Sequence, residues 1–111
     1  VSSLGVNGCE GGRLDIAFSK RFNVLFSTCA PFHTVAGIML NGTVVTISGL
    51  LGCSTIGNGG PAIQAGLCSP TGLTWDEQNL ALYIGDSGNN RVNKITFNAS
   101  NLNLLNGTMN A

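Results

Sequence analysis

Two stretches of the chain align without a gap at a spacing of 57 residues, and this repeat constrains the fold more than any other feature. When 16–43 is placed on 73–100, apolar positions coincide and an Asn-x-Thr/Ser sequon falls at the same place in both. The matched pairs are Leu25 with Leu82, Val35 with Val92, Ile38 with Ile95, Asn41 with Asn98, Ile16 with Leu73, Phe18 with Trp75 and Phe26 with Tyr83. Repeats of this length are supersecondary units that bury apolar surface by stacking on one another. The sequence therefore predicts two copies of one unit.

Strand patterns dominate both copies, because short alternating or apolar runs rich in β-branched residues are separated by Gly, Pro, Asn and Ser clusters. We predict strands at 14–18, 23–28, 34–39 and 43–48 in the first copy and at 71–75, 80–85, 91–97 and 101–105 in the second. Between the copies, 62–67 is expected to form one helical turn after Pro61. Four consecutive strands per repeat predict an all-β fold of two four-stranded antiparallel meanders, the architecture of a propeller blade.

These strands divide the chain into four segments. We assign 1–13 to a loop that leads into the first unit, 14–49 to a first, degenerate blade, 50–70 to a Gly-rich inter-blade loop and 71–111 to a second blade. Propellers usually close with about 4–8 blades, so two blades leave apolar faces uncovered. We expect the chain to belong to a larger propeller or to a stacked assembly, either a closed ring or an open filament.

Charge is scarce in this sequence and evenly balanced. Charged residues make up 9% of the chain, with five basic against five acidic residues, whereas about 25% is usual. No basic stripe is present to follow a phosphate backbone, so nucleic acid is not an expected partner. No apolar run approaches the roughly 20 residues of a membrane span. A surface so poor in charge is expected to owe its solubility to attached glycan or to burial in an assembly.

The four cysteines allow three disulfide pairings. Cys53–Cys68 is the expected pair because it closes the Gly-rich loop, which leaves Cys9 with Cys29. The alternative is four buried free thiols. His33 is the only histidine, and no Cys-x-x-Cys pair accompanies it, so we expect no metal site and place His33 in an exposed turn.

Three sequons occur, at Asn41, Asn98 and Asn106. A glycan requires an exposed turn, and Asn41-Gly42 is also a good dipeptide for a type I′ hairpin turn. The alternative is that these are Asn-rich turns without sugar. Two of the sequons stand in register between the copies, which favours glycosylation. Cysteines and sequons together predict an extracellular or cell-surface location.

The segment 57–95 resembles an NHL repeat, a blade type of β-propellers. The resemblance rests on Gly-Asn-Gly-Gly-Pro-Ala at 57–62 and above all on Asp-Ser-Gly-Asn-Asn-Arg at 86–91. The first copy departs from this pattern, because Cys-Ala-Pro-Phe-His-Thr stands at 29–34 in place of the second run. The resemblance implies the propeller fold but does not supply a function.

The structural turn that we single out comprises Asp86, Gly88, Asn89, Asn90 and Arg91. Asp86 is expected to cap backbone amides of a tight turn, and Gly88 to adopt a positive φ. The two asparagines tolerate left-handed geometry. Arg91 begins the next strand, where its guanidinium is expected to bind a neighbouring carboxylate such as that of Asp76.

The sequence contains no catalytic constellation, so we expect no enzyme and no cofactor other than N-linked glycans. The expected function is a secreted, N-glycosylated structural or adhesive building block of an extracellular fibre, sheath or appendage. Its blades would stack on other blades of the same protein or on identical subunits. The alternative is a ligand-binding segment of a complete NHL propeller ectodomain, whose partner is a carbohydrate or another protein.

Overall fold

The computed structural model of the protein describes residues 15–49, 53–55, 59–98 and 107–110. Within these ranges the chain forms strands joined by tight turns and three short 3-10 helices. The strands are β1 (Ile16–Ser19), β2 (Val24–Cys29), β3 (Thr34–Met39), β4 (Val44–Ser48), β5 (Pro70–Asp76), β6 (Ala81–Asp86), β7 (Arg91–Thr96) and β8 (Thr108–Asn110). The 3-10 helices are Ala30–Phe32, Ala62–Gln64 and Ser87–Asn89.

The strands form two four-stranded antiparallel sheets, in which each strand pairs with the next along the chain. The first sheet has the order β1-β2-β3-β4 and the second β5-β6-β7-β8. The predicted all-β fold of two antiparallel four-stranded sheets is therefore confirmed.

The sequence repeat is also a repeat of backbone conformation. Adding 57 to the bounds of β2, β3 and the 3-10 turn between them gives those of β6, β7 and their turn. Equivalent residues before β2 and β6 share a positive φ, 52° at Asn23 and 50° at Leu80. The same holds before β3 and β7, with 58° at His33 and 54° at Asn90. The two copies therefore share the same local backbone structure even at positions where their residues differ.

The fourth strand of the second sheet departs from the repeat. It lies at Thr108–Asn110, with Met109 opposite Ile95, whereas the sequence predicted the fourth strand at 101–105. That range falls outside the described residues. The physical reason is burial, because Met109 is fully buried between two exposed neighbours. Its backbone N–H also donates to the carbonyl of Gly60, at 3.0 Å, so the inter-sheet loop covers the edge of β8.

One apolar core joins the two sheets. An aromatic cluster lies at its centre, where the rings of Phe26 and Trp75 are 4.9 Å apart and those of Phe22 and Phe97 are 5.2 Å apart. Aromatic pairs at such distances add stability beyond the area that they bury. The sheets therefore form one folding unit rather than two neighbouring ones.

The loop between the sheets contributes to this core. Its 3-10 helix covers Ala62–Gln64 only, shorter than the predicted turn over 62–67, because Ala65 is already extended. Ala65 and Leu67 are fully buried, and the carbonyl of Ala65 accepts the N–H of Gly49 at 3.1 Å. In the described part of the chain, no helix has the length and apolar character needed to cross a membrane.

Candidate functional site

The two sheets meet through opposite faces. The front face of each sheet is the side that carries Phe26 in the first sheet and the equivalent Tyr83 in the second. The opposite side, which carries Phe18 in the first sheet and the equivalent Trp75 in the second, is the back face. Side chains alternate along a strand, and Phe26 contacts Trp75. The front face of the first sheet therefore packs on the back face of the second.

This arrangement leaves part of one face of each kind exposed: the β1 edge of the back face in the first sheet and the front face in the second. On the back face of the first sheet, Ile16 and Phe18 are 58% and 47% exposed. On the front face of the second sheet, Tyr83 and Val92 are 37% and 60% exposed. The two free faces are the counterparts of the two faces that meet inside the molecule.

A single carboxylate ties the turns of the two sheets together. Glu77, in the turn after β5, accepts the backbone N–H groups of Lys20 and Arg21 at 2.7 and 3.1 Å. It also accepts the Ser19 hydroxyl at 3.2 Å. Desolvation tends to raise the pKa of Glu77, but the hydrogen bonds that the carboxylate accepts, chiefly from the backbone of Lys20 and Arg21, together outweigh it and hold this pKa below its usual value. The carboxylate is therefore ionised at neutral pH and satisfies the β1–β2 turn.

A second polar contact joins the sheets at the opposite end of β1. One Asp15 carboxylate oxygen accepts the N–H of Leu73 at 2.9 Å. The hydroxyl of Thr28 accepts the N–H of Asp15 at 3.1 Å and donates to the carbonyl of Thr71 at 3.3 Å. These bonds fix the distance between the sheets at this point.

At the equivalent place on the second sheet, both polar side chains are replaced by glycine. Gly72 stands where the first copy has Asp15, Gly85 stands where it has Thr28, and the two glycines are paired between β5 and β6. A depression of about 330 Å³ opens there, with Thr74, Tyr83 and Val92 among the residues that line it. A Cβ on Gly72 would meet only a carboxylate oxygen of Asp15, at 4.0 Å. The hollow exists because two side chains are absent.

Asp86 lies at the centre of the turn that sequence analysis singled out. It is fully buried, and its Oδ2 accepts three side-chain donors: Asn89 Nδ2 at 2.9 Å, Arg91 Nε at 3.2 Å and Asn93 Nδ2 at 3.0 Å. Its Oδ1 accepts the backbone N–H of Cys68 at 2.7 Å. Every contact brings a donor to the anion, as a buried carboxylate requires.

The predicted backbone cap by Asp86 was wrong, whereas Arg91 binds a neighbouring carboxylate as predicted, although not the one given as the example. Asp86 makes no side-chain cap on the Ser87–Asn89 helix, because the one backbone N–H that it accepts is that of Cys68, outside the helix, and its other donors are side chains. Arg91 pairs with Asp86 rather than with Asp76; the carboxylate of Asp76 instead binds the side chain and backbone of Asn79. Asn93 was missed. The signal for it is an asparagine at an inward strand position beside Ile95, which requires a buried polar partner.

Gly88 is required for space rather than for a positive φ. Among the described glycines, Gly42, Gly49 and Gly59 have a positive φ, whereas Gly88 does not. A Cβ at Gly88 would lie 2.6 Å from Sγ and 2.7 Å from the carbonyl oxygen of Cys68. The turn thus presses against the disulfide. Asn90 adopts the predicted left-handed geometry, whereas Asn89 lies inside the 3-10 helix.

The predicted disulfide between Cys53 and Cys68 is confirmed. Cys29 is also disulfide-bonded, and its predicted partner, Cys9, lies outside the described residues. The Cys53–Cys68 disulfide therefore joins two positions of the loop between β4 and β5.

His33 is half-buried rather than exposed, and its Nδ1 accepts the N–H of Ser69 at 2.9 Å. Its ring lies near Cys53 and Cys68, and the three potential ligand atoms fall within 4.8 Å of one another. The two sulfurs are bonded to each other, however, and a cysteine sulfur is a good metal ligand only as a free thiolate. The described contact of His33 is structural, because its ring joins the end of the first sheet's 3-10 turn to the chain just before β5.

The described sequon asparagines are accessible. Asn41 and Asn98 are both exposed, Asn41 in the β3–β4 turn and Asn98 just after β7. The Asn41 side chain accepts the N–H of Thr43 at 3.0 Å. The turn is not type I′, because positive φ falls on Gly42, at 91°, and not on Asn41. Asn106 lies outside the described residues.

Comparison with protein-family models and with curated proteins found no match for this chain. The basis for assigning a function is therefore geometric: two sheets that pack through opposite faces, a pair of free faces and accessible sequons.

Proposed function

We propose that the protein is a secreted, N-glycosylated structural or adhesive building block whose two sheets are NHL-type propeller blades that assemble by stacking. The observation that carries the proposal is the opposite-face contact between the sheets. A contact between two different surfaces leaves one of each free, so it can be repeated. Repeated contacts of this kind produce rings or open filaments. An extracellular fibre, sheath or appendage is the kind of structure that such a block would build.

Covalent and surface chemistry supports an extracellular setting. Cys53–Cys68 is oxidised and Cys29 is also in a disulfide, a state typical of secreted proteins. Asn41 and Asn98 are exposed and lie at the same end of their sheets, because Asn41 follows β3 and Asn98 follows the equivalent strand, β7. Glycans there would lie on one edge and leave both free faces open for stacking.

A second candidate function is favoured by the depression at Gly72 and Gly85. A ligand-binding segment of a complete propeller would present such a hollow to a carbohydrate or a peptide. The wall of the hollow contains Tyr83, whose ring can stack on a sugar. The apolar free face of the first sheet, however, favours stacking over ligand binding as the main role.

Secretion from eukaryotic cells followed by sedimentation velocity tests the proposal. We expect species larger than the monomer, whose proportion rises with concentration. Enzymatic removal of N-glycans should lower the mass, and Asn41→Gln and Asn98→Gln should each reduce this mass difference by one glycan. A glycan-free chain that stays monomeric at all concentrations would refute the proposed function.

A further inference from the structure

We propose that Ile16 and Phe18 of one copy insert into the depression at Gly72 and Gly85 of a second copy, so that copies join head to tail. This inference rests on the proposed stacking function and names the contact that performs it. The occupant of the hollow is a second copy of this chain.

The internal contact supplies the template. Inside the molecule, Leu73 and Trp75 of β5 pack against the front face of the first sheet, and the Trp75 ring lies 4.9 Å from that of Phe26. Ile16 and Phe18 occupy the equivalent positions of β1. The equivalent acceptor is therefore the front face at β5 and β6, where Tyr83 stands in place of Phe26. A Phe18–Tyr83 contact would reproduce the Trp75–Phe26 contact.

The depression lies where this geometry requires a receptor. It is formed along β5 and β6, beside Tyr83, with Asp15 of the first sheet also among its lining residues, and it is open because Gly72 and Gly85 carry no side chains. Inside the molecule the same place is filled by Asp15 and Thr28, which hold β5 by hydrogen bonds. Between copies the polar ties would be replaced by apolar insertion. We expect this contact to be weaker than the internal one.

Charge complementarity supports the same alignment. Lys20 stands at the position equivalent to Glu77, and Glu77 reaches across the internal contact to the β1–β2 turn. In the contact between copies, Lys20 would reach across to the β5–β6 turn. That turn carries Asp76 and Glu77. The basic group is thus brought to an acidic turn.

Burial limits the contact to one edge of the back face. Ser27, Ala36 and Ile38 lie on the same side as Phe18 but are buried already. The surface available to a second copy is therefore the β1 edge, where Ile16 and Phe18 are exposed.

Complementation between two variants tests the head-to-tail contact. Phe18→Asp removes the inserted group and Tyr83→Asp removes the wall of the hollow. We expect each variant alone to weaken association at least tenfold in sedimentation velocity. An equimolar mixture should form dimers, because the intact hollow of one variant receives the intact Phe18 of the other, but nothing longer. Leu40→Asp is the matched control, since Leu40 is 79% exposed in the β3–β4 turn, and it should assemble like the unaltered chain.

Gly72→Val provides a second variant that should fold at least as well as the original. A valine favours a strand, and its Cβ has free space, yet it fills the hollow. We expect the circular dichroism spectrum to be unchanged and association to weaken at least tenfold. If assemblies form and all three variants assemble normally, or if the mixture yields no dimers, this contact is wrong while stacking stands. If the unaltered glycoprotein never assembles, both proposals fall.

Discussion

Replacing Asp86 by asparagine should destabilise the second sheet more than any other near-isosteric change in its turn. The carboxylate accepts four hydrogen bonds and is fully buried. An asparagine retains one oxygen. If this oxygen takes the place of Oδ2, the new amide group faces the N–H of Cys68, which the Asp86 oxygen now meets at 2.7 Å. If the amide is turned round, three donors lose their acceptor instead.

The magnitude follows from the better of these two orientations. One buried backbone donor is left without a partner and faces another donor, which costs about 1–3 kcal/mol. The bonds to Asn89, Arg91 and Asn93 lose their charge assistance, and charged hydrogen bonds are roughly twice as strong as neutral ones. Breaking a buried ion pair typically costs about 3–5 kcal/mol in total. We expect a loss in this range, a large part of the roughly 5–15 kcal/mol that a domain of this size has.

Urea unfolding followed by tryptophan fluorescence measures this loss, because Trp75 lies in the core between the sheets. Thermal unfolding should show a fall in Tm of about 12–20 °C. Asp76→Asn is the control, since the hydrogen bonds of Asp76 stay within its own turn, and its unfolding midpoint should stay close to that of the original. An Asp86→Asn variant within 1 kcal/mol of the original would contradict the reasoning.

Three further predictions concern the contacts around this turn and between the sheets. Gly88→Ala should cost about 1–3 kcal/mol in urea unfolding, because its Cβ would overlap Cys68; an unchanged midpoint would show that the disulfide moves freely. The double variant Cys53→Ser, Cys68→Ser should lose about 3 kcal/mol, the value for a closed loop of 15 residues, and the reduced original should match it. Thermal stability should decline as pH falls below about 4. Asp76 and Glu77 have lowered pKa values in the folded state. The pKa of Asp76 is lowered by hydrogen bonds from Asn79. For Glu77, desolvation raises the pKa, but hydrogen bonds, chiefly from the backbone of Lys20 and Arg21, lower it further than desolvation raises it. Their contribution is therefore present above the usual pKa and lost as pH falls through the lowered one. Glu77→Gln should flatten this decline, and an equally steep decline in that variant would exclude Glu77 as its source.

Local patterns were sufficient to predict most strands, because alternation and β-branched residues act within a few positions. β3 was predicted at 34–39, where it occurs, and β7 to within a residue. β8 could not be predicted in this way. Its position depends on Met109 reaching the core and on Gly59 and Gly60 pairing with it. These partners are distant in sequence and no period of the chain relates them.

The candidate site was predictable in part. The exposed positions of Asn41 and Asn98 and the Cys53–Cys68 pair follow from short motifs and loop closure. The partners of Asp86 do not, because burial of a carboxylate depends on donors from Cys68 and Asn93 that the fold collects. The role of Glu77 was also hidden. Its hydrogen-bond donors are backbone amides of the first sheet's β1–β2 turn, and a backbone amide has no sequence signature.

Packing through opposite faces gives the molecule a polarity, much as an arrow has a point and a notch. A row of copies built on this contact would have unlike tips, one ending in an aromatic knob and the other in a socket. The addition of subunits at each tip would then depend on a different contact surface. A small fraction of subunits that lack only the knob would stop extension at one tip and leave the other tip free to grow. One such subunit at a tip would therefore limit the length of the row.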